Sequence, residues 1–183
     1  MRNQRVTISR RSALVTGAAG AAALTLFPRD MAAQRAPVIQ SGGGIAGGGA
    51  LSLSDGGTAS FSVFGSRFEV VDQDEPTIFG GLFITDSVGK QLASGEVTNY
   101  EPVEGEENAR QMTGFASIDG EGRFPFTLKL IDGGAPGEGK DRFQLAVEAT
   151  STDATPSPEG GMMSIDSVIE PGDLQLITFE FSA

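Results

Sequence analysis

RFPFTLKLIDGGAPGEGKDRFQLAV, residues 123–147, decides the fold. In its first half Phe124, Phe126, Leu128 and Leu130 alternate with Pro125, Thr127 and Lys129. Successive side chains of a strand point to opposite faces, so the four apolar residues share one face. After the Gly-rich acidic stretch Asp132 to Asp141 the alternation resumes with Phe143, Leu145 and Val147 on one side and Gln144 and Glu148 on the other. The two segments predict an antiparallel β-hairpin with both apolar faces turned the same way. Pro125 has no N–H to donate, which predicts an edge strand or a bulge at that position.

Working outward, the chain keeps this character. Asp55-Gly56-Gly57 signals a turn before Ala59 to Val63, and Asp72 to Pro76 reads as an acidic loop before a strand over Ile78 to Asp86. Further strands are predicted over Leu92 to Asn99, Ala109 to Ile118, Ser164 to Glu170 and Leu174 to Phe181, and Ala50 to Ser54 also alternates. Thr150 to Gly161, TSTDATPSPEGG, has no apolar period and reads as a mobile loop. With no helical period after the N-terminal segment, the expected fold is all-β: an antiparallel β-sandwich or partly closed β-barrel of about nine strands.

Residues 1–33 read as an export signal. Arg2 and Arg5 precede Ser9-Arg10-Arg11-Ser12, then comes an Ala/Gly-rich apolar run to Phe27, Pro28, and small residues Ala32 and Ala33. The run from Ser12 to Phe27 is shorter than the roughly 20 residues that span a bilayer core. Residues 34–49, with Gly42-Gly43-Gly44-Ile45-Ala46-Gly47-Gly48-Gly49, read as a flexible lead, and residues 50–183 as the all-β domain. That glycine run formally contains GxGxxG, but Ala50-Leu51-Ser52-Leu53-Ser54 follows it where a dinucleotide site needs a helix.

Composition removes most chemistry. With no Cys and no His there is no disulfide, thiol nucleophile, Cys-ligated metal or Ser-His-Asp triad. The net charge is −11, and without Arg2, Arg5, Arg10, Arg11, Arg29 and Asp30 of the signal it is −15. Such a surface repels nucleic acid and anionic lipid, so neither is expected as a partner once the signal is removed.

Carboxylates remain as candidates. Asp132, Glu138 and Asp141 lie on a Gly-rich loop, and oxygen ligands on a loop that folds back suit Ca²⁺, making these three the candidate metal ligands and Ca²⁺ the one candidate cofactor. The plainer reading, which the Asp/Gly pattern favours, is that these carboxylates cap turn N–H groups and sit in water. Glu101, Glu104, Glu106 and Glu107 follow Tyr100. Paired carboxylates can hydrolyse glycosides, yet a chain with no Trp and one Tyr lacks the usual sugar platforms, so a solvated acidic turn is expected. The 12 Phe could line an apolar ligand cavity, but most alternate with polar neighbours and read as core.

Two resemblances add to this. Ser9-Arg10-Arg11 before the apolar run is similar to twin-arginine (Tat) signals, with Ala13 where Phe is usual; this implies export in the folded state to the periplasm or the medium and cleavage after Ala33. Phe124 to Phe143, with Gly42-Gly43-Gly44, Gly81-Leu82-Phe83-Ile84-Thr85-Asp86 and Gly172-Asp173-Leu174-Gln175-Leu176, resembles the post-choice-of-anchor (post-COAP) domain of exported bacterial proteins. The resemblance implies a small β fold and carries no catalytic activity. The functional expectation is a non-catalytic interaction or structural module with an unidentified protein or envelope partner. The alternative is a small β-barrel that binds or isomerises an apolar molecule in a Phe-lined cavity.

Overall fold

The computed structural model describes residues 39–135, 138–148 and 163–180. The expected signal at 1–33 and the expected loop at 150–161 lie outside these residues. Nine strands follow one another without a helix among the described residues: β1 (Ile39–Ser52), β2 (Thr58–Val70), β3 (Thr77–Asp86), β4 (Gln91–Val103), β5 (Glu106–Ile118), β6 (Glu121–Ile131), β7 (Arg142–Val147), β8 (Met163–Val168) and β9 (Gly172–Glu180). They form one antiparallel sheet in the order β8-β7-β6-β5-β4-β3-β2-β1-β9. A single sheet selects the partly closed barrel over the sandwich.

The chain divides into two compact units. Of the described residues the smaller comprises 39–43, 68–77 and 177–180, and within it Gly43 lies beside Ile177 of β9. The larger comprises Gly44–Arg67 and Ile78–Leu176. In the larger unit the sheet curls into a half-barrel around one core. Curling has a local cause, since the β4–β5 register shifts between Ala93 and Glu96, between Val97 and Asn99 and between Pro102 and Val103, and β-bulges bend and twist the strands that carry them.

The alternation read from sequence sets the core. β2 alternates exposed and buried residues from Thr58 to Gly65, so Ala59, Phe61 and Val63 point inward. The hairpin behaves as expected: Phe126 pairs with Val147, Leu128 with Leu145 and Leu130 with Phe143, and all six are buried. Phe143 packs on Phe61 with ring centroids 4.8 Å apart and planes at 54°.

Two expectations are corrected. β6 is an interior strand between β5 and β7, not an edge. Pro125 is tolerated because its carbonyl accepts from Glu148 N at 2.9 Å, which places its missing N–H on the β7 side, one residue beyond the last paired couple Phe126–Val147. The glycine run 42–49 is not a flexible lead but the middle of β1, with Ile45 and Leu51 of that strand fully buried. Glycine is required there by close approach. A Cβ at Gly47 would land on the Asp173 carbonyl oxygen, and one at Gly49 on that of Pro171. A methyl group at either position would push β9 off β1.

Phe143→Ala is expected to cost about 3–5 kcal/mol by urea unfolding. Gly47→Val is expected to prevent cooperative folding, because the atom it meets is backbone and cannot rotate away. A loss below about 1 kcal/mol in either variant would contradict this packing.

Candidate functional site

Two of the residues singled out for chemistry, Asp132 and Asp141, meet at one place in the larger unit. β9 ends the sheet, pairing with β1 on one side only. An edge strand exposes backbone N–H groups that must find partners. Here the β6–β7 loop supplies them. Asp141 Oδ2 accepts from Leu174 N at 2.6 Å, and Asp132 Oδ2 accepts from Leu176 N at 3.1 Å.

Each carboxylate also holds its own loop. Asp141 Oδ1 accepts from Gly133 N at 2.8 Å, and Asp132 Oδ1 accepts from Gly134 N at 3.1 Å, the local Asx geometry that short acidic side chains favour. Asp141 is only 6% exposed, and its carbonyl accepts from Ile169 N at 2.9 Å. One residue therefore ties together the β6–β7 loop, the chain leaving β8 and the start of β9. The same corner carries Ala50 N to the Pro171 carbonyl at 2.8 Å and Ser52 N to Ser167 Oγ at 3.0 Å.

This arrangement supplies the N–H capping that the plainer reading of the loop describes. Asp132 and Asp141 are brought together, and each of their four oxygens accepts one backbone N–H. Glu138 stands apart with its carboxylate on Lys140 Nζ at 2.9 Å. Among the described residues no group of three Asp or Glu side chains is arranged to hold a metal ion. The three expected Ca²⁺ ligands are thus not gathered into one ligand set.

The sequence reading missed Asp173 as a participant. Its Oδ2 accepts from Gln175 Nε2 at 3.0 Å, while Oδ1 is buried with no hydrogen-bond partner among the described residues. Burial pushes the Asp173 carboxyl above the usual carboxylate range; the Gln175 bond opposes this, and the negative charges of Asp141 and Asp132 add to it. The signal was faint in sequence, because Asp173 is separated from the loop by more than thirty positions and nothing local marks it.

The other candidates are placed elsewhere. The acidic run straddles a short hairpin turn, with Glu101 on β4, Glu104 on the turn and Glu106 and Glu107 on β5, where Glu106 is held by Lys129 Nζ at 2.6 Å. Asp119 lies on the β5–β6 turn, at the other end of β6 from the Asp132 loop, and accepts from Gln91 N at 2.7 Å. Tyr100 is 3% exposed and faces the core; burial pushes its phenol up to about 12, against the opposing charge of Arg110. No family model matches the chain, and no curated protein or solved structure matches it either.

Asp141→Ala is expected to lose about 2–4 kcal/mol of stability, since it strands two N–H groups bonded to a charged acceptor, whereas Arg142→Ala, at an exposed ion pair, is expected to melt close to wild type. Millimolar Ca²⁺ is expected to leave the melting temperature of the wild type unchanged; a saturable rise would return the loop to the metal reading. Tyr100 gives a clean third check, being the sole tyrosine in a chain without tryptophan. Its phenolate absorbance should appear near pH 12, not 10, and the stability held by the neutral phenol should be lost as pH rises between those values. A transition at 10 in folded protein would contradict its burial.

Proposed function

We propose that the chain is an exported, non-catalytic β-module that presents the outer face of its sheet to a cell-envelope or extracellular partner. The observation that carries this reading is the outward side of β2 and β3 in the larger unit. Thr58, Ser60, Ser62 and Phe64 on β2 alternate with buried residues, and Phe79, Gly81, Phe83 and Thr85 occupy the corresponding face of β3. None of these eight is ionisable, in a chain that is 20% charged. Phe64 and Phe83 are 52% and 42% exposed. Large exposed aromatics grouped on an otherwise acidic surface mark contact sites.

Phe64 shows how the face is built. A Cβ at Gly81 would lie 2.7 Å from the Phe64 ring, so the ring lies across the glycine of the neighbouring strand. Phe83 sits opposite Ala93 of β4, whose small side chain leaves the ring standing proud.

The alternative, an apolar-ligand barrel, has less to support it. The inward Phe residues, Phe61, Phe126 and Phe143, fill the core. A concavity bounded by Leu53, Ile84, Leu92, Ile118 and Met163 holds about 20 Å³, room for about one water and far below the roughly 300–1,000 Å³ of ligand pockets. Export rests on the Arg10-Arg11 signal, and the acidic surface suits a protein that stays soluble after release.

Two substitutions test the reading in the cells that export the protein. Arg10→Lys with Arg11→Lys should leave the protein uncleaved inside the cell. Phe83→Ser should leave the melting temperature within a few degrees of wild type yet shift the exported protein from the envelope-bound to the freely released fraction. Equal partition of wild type and Phe83→Ser would overturn the role of this face.

A further inference from the structure

The charge-free face of β2 and β3 continues past those two strands. Ser60 Oγ donates to the Thr85 carbonyl at 3.4 Å and the Phe64 ring lies across Gly81, so in this antiparallel pair Ser62 falls beside Phe83. Phe83 pairs with Ala93 of β4, and Ala93 pairs with Ser117 of β5. One row of the outer face therefore reads Ser62, Phe83, Ala93, Ser117. It crosses four strands, about 14 Å at the usual strand spacing, with no ionisable side chain. Next along β5 on the same face is Phe115, where the Arg123 guanidinium lies 3.2 Å from the ring centroid and is paired with Glu96 at 2.6 Å.

Two properties of the row select its occupant. The first is charge. On a chain of net charge −11, a cationic partner gains most where the carboxylates are, and an anionic partner is repelled by the chain as a whole. A neutral ligand is the class that loses nothing by covering a face without ionisable groups. The second is area. Phe64, Phe79 and Phe83 are each roughly half exposed and together offer about 300 Å² of ring surface. Each side of a standard protein–protein interface contributes about 800 Å², so the face suits a narrow ligand better than a second copy of the chain or another globular protein.

Given the contact role of the β2–β3 face proposed above, on which this depends, we infer that the face binds a neutral polysaccharide laid across the strands. A sugar ring presents C–H bonds on its flat sides, and the electron-rich face of an aromatic ring attracts them. Phe83 and Phe64 supply that surface. Phe lacks the polar handle of Tyr or Trp, so hydrogen bonds to the sugar hydroxyls fall to Ser62, Ser117 and the Glu96–Arg123 pair that flank the rings.

The test mixes the purified exported protein with envelopes of the exporting cells, either untreated or reduced to their insoluble polysaccharide by protease and detergent. The reduced envelopes should retain the protein, and added salt should leave retention unchanged because no ion pair holds the ligand. Phe83→Ser should weaken retention roughly tenfold or more. Val88→Ser, on the exposed turn between β3 and β4, should bind as wild type does. Should Phe83→Ser fold poorly, Ser62→Glu, which puts a charge into the row, is expected to give the same loss. Retention by untreated envelopes alone, weakened by Phe83→Ser, would overturn the polysaccharide and leave the contact face standing with a protein or lipid partner. Loss of retention in salt would likewise overturn a neutral ligand. Retention that neither Phe83→Ser nor Ser62→Glu weakens, or none on either preparation, would overturn the ligand and the contact face together.

Discussion

Everything in the larger unit depends on the Asp141 carboxylate reaching the backbone of β9. A sheet of nine strands in linear order has two edges, and β9 is one of them. Among the described residues this edge is met by side-chain acceptors and not by a further strand. The 2.6 Å bond to Leu174 N is charge-assisted, the stronger kind of hydrogen bond, and it is made by a residue that is 94% buried. Burial raises both the value of the bond and the cost of breaking it, because Asp141 without its donors would be an unsatisfied buried charge. Leu174 itself is 1% exposed, so fixing its N–H also seats its side chain in the core.

That corner makes a second demand, on β1. The loop can reach β9 only if β9 lies tight against its neighbour, and glycines at 47 and 49 permit this by offering no side chain to the Asp173 and Pro171 carbonyls. Glycine weakens a strand in isolation, through lost backbone freedom and missing side-chain contacts. Here that weakness is offset by burial of Ile45 and Leu51 on the same strand. The glycine strand and the acidic loop are therefore two halves of one device, far apart in sequence and joined by β9.

This explains which parts of the structure the sequence made legible. The β6–β7 hairpin could be read in full, down to its pairing of Leu128 with Leu145, because strand alternation is a local signal and core burial follows it. β1 could not. Eight residues with six glycines look the same whether they wander in solvent or thread between two strands, and only the neighbours distinguish the cases. Pro125 failed for a related reason: the missing N–H was read correctly, but whether that position had a partner depended on where β7 stopped. The Asp132 and Asp141 pair was visible as a cluster of acceptors on a glycine loop, and the capping reading anticipated their bonds to Gly133 N and Gly134 N but placed them in water, whereas Asp141 is buried. Their donors on β9 were not visible, since the chain between Asp141 and Leu174 has no local feature linking the two. Asp173 was hidden for the same reason.

Amide hydrogen exchange at Leu174 and Leu176 in the native wild-type protein tests the central claim most directly. If the loop carboxylates close the half-barrel, these two amides exchange as slowly as those of the hairpin residues Leu128 and Leu145, although among the described residues no strand adjoins that edge. Exchange at the rate of an open strand edge would contradict the account, and would mean that Asp132 and Asp141 do not hold β9 in solution.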